Sequence, residues 1–225
     1  MSVSEDRTVQ PSPTTAAPAS GIADPAPLGL AAFALTTFLL SAKNADWMSH
    51  ATGSAWLGFA FAYGGLGQLL AGMWEFRNRN VFGATAFATY GGFWIGLGLW
   101  VQLVVNPAVA AARPATLAAT VSGLNHDLGW ILLAFAIFNT YMLILSAQVN
   151  LAVFAVFLTL ELTEIILCIG NFNAGAALIP TTTIKIGGYV GLITALVAWY
   201  ASAAGVSNGI AAGKLRFPVG RPLLS

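Results

Sequence analysis

The sequence predicts an all-α integral membrane protein with six transmembrane helices. Hydrophobic residues make up 57% of the chain and charged residues only 8%, with a mean hydropathy of +0.78, whereas a soluble domain carries about 25% charged residues. The sequence also contains six apolar stretches of about 20 residues, the length that spans a bilayer as a helix. The net charge of +1 gives no indication of nucleic acid as a partner.

The two ends of the chain are predicted to lie outside this helical region. Residues 1–22 are rich in Ser, Thr, Pro and Ala and contain no apolar core, so we expect a disordered N-terminal tail and not a signal peptide. A six-helix transmembrane domain is expected over 23–206 and a cytoplasmic C-terminal tail over 207–225. Cys168 is the single cysteine, which excludes an intrachain disulfide.

The spans are predicted at roughly 27–45, 55–75, 81–105, 124–147, 150–170 and 184–206. Asp24 can cap the first helix, and Pro25 fits its first turn because a missing N–H is harmless there. The third helix is expected to end at the dipeptide Asn106–Pro107. The connection between the fourth and fifth spans is very short and predicts an antiparallel hairpin.

The charge distribution predicts the orientation in the membrane. With six spans, both chain ends lie on the same side. That side carries six basic residues, Arg7, Arg77, Arg79, Lys214, Arg216 and Arg221, and the other side carries three, Lys43, Arg113 and Lys185. Because cytoplasmic loops are enriched in Lys and Arg, we expect a multi-pass protein of the cell (inner) membrane with both termini in the cytoplasm.

Small residues recur at four-residue spacing in three of the spans. The pairs are Ala60 with Gly64, Gly92 with Gly96, and Gly187 with Gly191. This spacing lets helix backbones approach closely, so all three pairs are predicted at contacts between helices.

Neither a metal centre nor an enzymatic site is indicated by the residues. Metal enzymes need clusters of ligands, but the two histidines, His50 and His126, are far apart in sequence. No cofactor is therefore expected, and the protein is predicted not to be an enzyme. The tripeptides DPA at Asp24 and NPA at Asn106 do not support an aquaporin fold, because in that fold the motifs follow the second and fifth spans.

Polar side chains remain inside the predicted spans. They are Gln68, Gln102, Asn139, Thr140, Glu161 and Glu164. Amides within a membrane usually form hydrogen bonds between helices, which is the expectation for Asn139. Ionisable residues in the middle of a span more often mark a substrate or ion pathway. For Glu161 and Glu164, a pathway and a packing or oligomer contact both remain open.

Five blocks of the sequence form a recognisable series: DPAPLGLAAFALTTFLL (24–40), YGGLGQLLAGMWEF (63–76), FGATAFATYGGFW (82–94), IGN (169–171) and FPVG (217–220). The blocks and their order resemble the acetate uptake transporter family, the succinate–acetate permeases. The resemblance implies six helices around a central pore in each protomer, and a homo-oligomer that is a hexamer. It also implies transport of acetate and related small monocarboxylates, with succinate as a further candidate, by proton coupling or a channel-like route.

The resemblance further implies which residues form the site. The family's apolar constriction falls on Phe33, Tyr90 and Leu160. Its signature at the pore mouth falls on Asp24, Pro25, Ala26, Pro27, Leu28 and Gly29. The signature usually begins with Asn, and Asp24 instead places a negative charge where the helix dipole favours it. Glu161 and Glu164 are not typical of the family.

Helix geometry supports the constriction independently. Phe33, Tyr90 and Leu160 follow the apparent span starts, Pro25, Val81 and Asn150, by 8, 9 and 10 residues. These spans, the first, third and fifth, all begin on the same side. With a rise of 1.5 Å per residue, all three side chains lie about 12–15 Å along their helices and are expected at one level.

The same geometry predicts different positions for the two glutamates. Relative to Leu160, Glu164 is rotated by about 40° and lies about 6 Å further along the axis, near the pore line and just outside the constriction. In its protonated form it can donate a hydrogen bond to a substrate carboxylate. Glu161, rotated by about 100°, is expected to meet a neighbouring helix. Both are candidates for proton coupling, and uptake is predicted to increase as the external pH falls.

Two other functions stay open at this point. The protein can be a channel for another small solute such as ammonia, which predicts flux of that solute. It can also be a non-transporting sensor or assembly protein, which predicts no solute flux and the need for a partner.

Overall fold

A computed structural model describes residues 21–49 and 53–224 and shows six helical spans in those ranges. They are α1 (Ala26–Asn44), α2 (55–77), α3 (Val81–Ala111), α4 (Pro114–Ser146), α5 (Leu151–Phe172) and α6 (Thr182–Gly209). All except α2 are single stretches long and apolar enough to cross a membrane. The described residues contain no strand. The predicted all-helical membrane fold is therefore confirmed.

Helix α2 is continuous but changes its winding. An α-helical turn, Ala55–Phe59, leads into a π-helical segment, Ala60–Gly67, and then into an α-helix, Gln68–Arg77. A π-helical segment rotates the residues that follow it relative to a regular helix, and such segments are frequent at functional sites. In this chain the segment sets the direction of Gln68 and of the residues after it.

The prediction that Asn106 and Pro107 end the third helix is wrong. Helix α3 passes through a π-helical segment, Val101–Val105, and continues as an α-helix over Asn106–Ala111. Pro107 lies in the first turn of that last piece. A proline in a first turn removes no needed N–H donor, so the chain remains helical until Ala111.

The helices form a closed arrangement in which neighbours pack in the order α4, α5, α6, α1, α2, α3. Aromatic side chains fill the remaining space between α3 and α4. The ring centroids of Phe93 and Phe135 are 4.6 Å apart, and those of Tyr90 and Phe138 are 5.6 Å apart. A central space lined by all six helices results.

Two of the three small-residue pairs lie at close helix contacts. A Cβ atom on Gly64 would approach Thr36 Oγ1 of α1 to 2.5 Å, and one on Gly187 would approach Leu167 of α5 to 2.6 Å. Gly92 and Gly96 contact no other helix of the described chain, because a Cβ atom on either residue would have nothing within 4 Å. Their side of α3 faces away from the described part of the chain.

Polar side chains define where several helices begin. Asn80 and Asn150 each accept a hydrogen bond from the backbone N–H three residues later, at the starts of α3 and α5. Asp24 Oδ1 accepts from the N–H of Ala26 at 2.9 Å, and Pro25 occupies the capping position. We call the face that contains the starts of α1, α3 and α5 the proximal face and the opposite one the distal face.

The segment after α6 packs on the proximal face instead of extending away from it. The N–H of Ala152 donates to Val219 O at 2.9 Å, and the N–H of Leu223 donates to Ala147 O at 2.8 Å. These contacts attach the C-terminal segment to the α4–α5 hairpin. Residues 1–20, most of the predicted N-terminal tail, lie outside the described residues.

Candidate functional site

Two cavities extend into the helical arrangement from opposite faces and meet at the same three side chains. The distal cavity has a volume of about 220 Å³ and the proximal cavity about 200 Å³. Both are lined by Phe33, Tyr90 and Leu160. The structure thus brings together the three residues that the sequence placed at one level, and it places them between the cavities.

These three side chains make the boundary between the cavities apolar. Phe33, Tyr90 and Leu160 belong to one cluster of buried residues and are exposed by 5%, 4% and 6%. The rings of Phe33 and Tyr90 meet edge to face with centroids 5.8 Å apart, a favourable geometry for aromatic pairs. Each residue comes from a different helix, so the boundary depends on the packing of α1, α3 and α5.

The hydroxyl of Tyr90 connects this boundary to α4 and α5. It lies 3.0 Å from Asn139 Oδ1 and 3.3 Å from Glu164 Oε1. Asn139 in turn donates through Nδ2 to Phe157 O at 3.0 Å and to Glu161 Oε2 at 2.7 Å. The two intramembrane glutamates are therefore joined through Tyr90 and Asn139 in one buried hydrogen-bond network.

The number of protons in this network restricts the state of Glu164. The amide of Asn139 directs its Nδ2 at Phe157 O, because a carbonyl can only accept, so its Oδ1 faces Tyr90 as an acceptor. The Tyr90 hydroxyl has one proton and two acceptors within reach, Asn139 Oδ1 and Glu164 Oε1, and Glu164 Oε2 has no partner among the described residues. A protonated Glu164 satisfies both contacts, because it can donate to the hydroxyl while the hydroxyl donates to Asn139, whereas an ionised Glu164 leaves one of the two acceptors without a donor.

Glu161 occupies a different environment from Glu164. Its Oε1 lies 2.7 Å from the hydroxyl of Thr140 on α4, and its Oε2 accepts from Asn139 on the same helix. Glu161 lines neither cavity, whereas Glu164 lines the distal one. Glu161 thus contacts a neighbouring helix, and Glu164 faces the space beside the constriction.

The distal cavity is lined by a lysine and is partly covered by a loop. Lys43, near the end of α1, lines this cavity, and its Nζ lies 5.6 Å from the ring centroid of Trp56. The loop 173–181 contributes part of the lining and is attached to α4 through Asn125, whose Nδ2 donates to Gly175 O at 2.9 Å. A positive charge beside a cavity attracts small anions.

The six signature residues have distinct roles at the start of α1. Asp24 and Ala26 line the proximal cavity. Pro27 O accepts a hydrogen bond from Ser202 Oγ at 2.7 Å, which ties α1 to α6. Gly29 leaves room for the ring of Phe87, because a Cβ atom would approach it to 2.6 Å. Pro25 is buried and Leu28 is exposed.

The sequence reasoning did not identify Glu75 as a site residue. Glu75 is fully buried and lines the proximal cavity together with Gln68. In sequence it begins the charged run EFRNRN, which is typical of a loop. The signal that identifies it is helical spacing, because Gln68 and Glu75 are seven residues apart and therefore lie on one face of α2.

The remaining polar candidates lie away from the constriction. Gln102 is exposed, and its Oε1 accepts from Asn106 Nδ2 at 2.8 Å. His126 packs against Phe172, with ring centroids 5.2 Å apart. His50 lies outside the described residues.

Comparison with known proteins identifies the family. Residues 6–212, most of the chain, match the model of the GPR1/FUN34/yaaH family. The chain belongs to this family. The resemblance that the sequence motifs indicated is thereby confirmed.

Members of the GPR1/FUN34/yaaH family with descriptive names support the same relationship. Acetate permease A of Emericella nidulans is 40% identical over 83% of this chain and 62% of its own length. The succinate-acetate/proton symporter SatP of Escherichia coli is 32% identical over 83% of this chain and 90% of its own. Two relatives in Saccharomyces cerevisiae carry names that refer to outward transport of ammonia. The chain spans 62% to 64% of the length of the first fungal relatives.

A solved structure in the family has the same fold. The structure of the bacterial acetate channel SatP matches with a TM-score of 0.71 at 30% sequence identity, over 88% of this chain and 99% of that one. The protein is therefore a multi-pass membrane protein with the fold of that channel.

Proposed function

We propose that this protein transports acetate and related small monocarboxylates across the membrane, with succinate as a further candidate. The observation that carries the proposal is the apolar boundary of Phe33, Tyr90 and Leu160 between two cavities that open to opposite faces. A small neutral acid can cross such a boundary, whereas a bare carboxylate must lose its hydration. The relatives named for acetate transport support the same substrate class.

In the proposed route, the distal cavity faces the outside of the cell and the termini lie in the cytoplasm, as the distribution of basic residues favours. The substrate anion is attracted by Lys43 and then meets the protonated carboxyl of Glu164. The carboxylate takes up a proton from the external solution, Glu164 donates a hydrogen bond to the carbonyl oxygen of the resulting acid, and the acid crosses the constriction in its neutral form. Glu161 stabilises this arrangement because it holds Asn139, which holds the Tyr90 hydroxyl.

Labelled-acetate counterflow in proteoliposomes tests the function. We expect exchange of labelled acetate that is reduced by lactate and, to a smaller extent, by succinate. Flux of ammonium with no acetate exchange would support the ammonia channel that the names of the yeast relatives suggest. Absence of flux for all of these solutes would contradict transport and support a sensor or assembly role.

A comparison of Glu164→Gln with the wild type tests proton gating. Uptake by the wild type should rise as the external pH falls, beyond the rise in undissociated substrate, because Glu164 is the donor only while protonated. The substituted amide donates at every pH, so this additional pH dependence should be lost. Asp127→Asn is the matched control, since Asp127 is exposed and lines neither cavity, and its variant should keep the pH dependence. An unchanged pH profile in Glu164→Gln would refute the gating role.

The proposed function also includes the ligands of the protein and its assembly in the membrane. Protons and the small carboxylate are the proposed ligands, and the hexamer implied by the family resemblance is the proposed assembly in the bilayer. Native mass spectrometry from detergent tests the number of protomers. No enzymatic activity is proposed, because the relatives and the matched structure are named as transporters or channels.

A further inference from the structure

The loop between α5 and α6, residues 173–181, lies at the mouth of the distal cavity. Residues 177–180 line this cavity, and two of them, Leu178 and Ile179, are nevertheless exposed by 66% and 55%. Side chains that border a cavity and are also exposed lie at the boundary between the cavity and its surroundings. The position of the loop therefore sets how wide the distal entrance is.

The middle of this loop is held mainly by one side chain of α4. Asn125 donates through Nδ2 to two backbone carbonyls of the loop, Gly175 O at 2.9 Å and Ala177 O at 3.2 Å. Within the described part of the chain, these are the only hydrogen bonds between residues 174–180 and a helix other than α5. A segment with few buried apolar side chains and few hydrogen bonds opens at a low cost in free energy.

The two ends of the loop are fixed, and a glycine lies where the loop can turn. Ala174, next to the end of α5, is buried, and Thr181 Oγ1 accepts from the N–H of Ile184 where α6 begins. Gly175 has a φ of +54°, which glycine adopts without strain, and a Cβ atom there would have nothing within 4 Å. Hinges are a few loop or end residues that take up changes in φ and ψ. Residues 176–180 can therefore move while α5 and α6 stay in place.

We propose that residues 173–181 form a lid over the distal cavity and that Asn125 is the latch that holds the lid closed. Opening exchanges two hydrogen bonds of one amide for hydrogen bonds to water, and it moves large side chains that are already exposed. The open lid widens the entrance to the cavity that Lys43 and Glu164 line. The inference rests on the proposed function in one respect, because it takes this cavity as the entrance for the substrate.

The test measures how fast a thiol inside the distal cavity reacts with a reagent added from the distal side. Cys168 is the only cysteine of the chain, so Cys168→Ala gives a full-length background without thiols. Leu128→Cys is the reporter, because Leu128 lines the cavity and lies one turn deeper than Asn125 on the same face of α4. The protein is reconstituted into vesicles sorted for an outward distal face. The reagent is sulfonatoethyl methanethiosulfonate, which is an anion and does not cross the bilayer.

The latch variant is Asn125→Asp, which keeps the shape of the side chain and replaces the donor by an acceptor that faces two carbonyls. Each lost hydrogen bond corresponds to a factor of about two to twelve, so the reporter should react about five- to 150-fold faster. The added negative charge alone would slow an anionic reagent and cannot produce this increase. Asn106→Asp is the matched control and should leave the rate unchanged, since Asn106 is exposed and lines neither cavity.

Two results would overturn the lid. One is an unchanged reaction rate of the Leu128→Cys reporter in Asn125→Asp. The other is an equal acceleration of a reporter outside the cavity, Ala115→Cys, which is exposed in the first turn of α4, because this would show a general change of the distal face.

Hydrogen–deuterium exchange provides a second measurement that needs no cysteine. In the full-length chain, Asn125→Asp should accelerate exchange of the backbone amides of residues 174–179 and leave the middle of α4 unchanged. Equal exchange in the variant and the wild type would also contradict the latch. Neither measurement depends on transport. Absence of acetate flux in the wild type would therefore refute the proposed function alone, and acetate flux with an unchanged thiol reaction would refute the lid alone.

Discussion

Tyr90→Phe removes a single hydroxyl group at the centre of the molecule and leaves the constriction otherwise intact. The ring contacts with Phe33 and Phe138, at centroid distances of 5.8 and 5.6 Å, need no hydroxyl. The hydroxyl itself lies against Asn139 Oδ1 and Glu164 Oε1. The substitution therefore separates the polar role of Tyr90 from its role as an apolar barrier.

The structure gives the size of the expected loss in stability. Asn139 is fully buried, so its Oδ1 loses its Tyr90 donor where water cannot easily replace it. A buried group left without a partner costs about 1–3 kcal/mol, and in a chain of this size 1 kcal/mol lowers the melting temperature by about 2–4 °C. We expect a melting temperature about 2–12 °C below that of the wild type, measured for the purified protein in detergent.

The matched control is Tyr200→Phe. The Tyr200 hydroxyl donates to Pro218 O at 2.6 Å, but Tyr200 is exposed and lies on the proximal face. Solvent can replace that hydrogen bond, so the control should change stability by about 0.5 kcal/mol or less. Acetate uptake by Tyr90→Phe should continue with an altered pH dependence, because Glu164 has lost its neighbour. Equal stability of the two variants, together with an unchanged pH profile, would refute the proposed hydrogen-bond network.

Two further predictions concern the distal cavity and the helix contacts. Lys43→Gln should raise the half-saturation concentration for acetate from the distal face by about two- to fivefold with little change in maximal flux, and this increase should be smaller at high ionic strength because salt screens the charge. Lys43→Arg keeps the charge and should retain the wild-type half-saturation concentration. An equal increase in both variants would exclude the charge as the cause. Gly188→Ala should destabilise the protein by about 1–3 kcal/mol, because its Cβ atom would overlap the backbone of Ala45. Gly92→Ala, which adds a methyl group in open space, should cause no loss of melting temperature, and equal stability of these two glycine variants would contradict the helix contact.

The apolar periodicity of the chain was sufficient to predict the six spans and the common depth of the three constriction residues. Depth follows from residue count because a helix rises by a fixed distance per residue. The behaviour of Asn106 and Pro107 could not be predicted in this way, because a π-helical segment before the proline lets the helix continue. Sequence alone also placed Gly92 and Gly96 at a contact, although the spacing of small residues does not say whether another helix lies opposite them.

The network around Tyr90 shows why some site residues need the structure. The sequence identified Glu161 and Glu164 as unusual, and the helix rotation distinguished their directions. It did not show that Asn139 joins them through Tyr90, because that contact depends on the distance between α3, α4 and α5. Glu75 was missed for a different reason, since a carboxylate followed closely by four basic or amide residues resembles a loop in sequence, although Glu75 is fully buried in the structure.

The costs of protonation and desolvation determine which form of the substrate crosses the constriction. At pH 7, a carboxyl with an ordinary pKa of about 4.3 costs about 3.7 kcal/mol to protonate. Transfer of a bare carboxylate from water to apolar surroundings costs several kcal/mol even after relaxation. At neutral pH, crossing as the protonated acid and crossing as the desolvated anion therefore have comparable costs. At pH 5 the cost of protonation falls to about 1 kcal/mol, while the cost of desolvating the anion is unchanged. A protonated Glu164 on the distal side of the constriction also favours the neutral acid, so the preference for the neutral form grows as the pH falls.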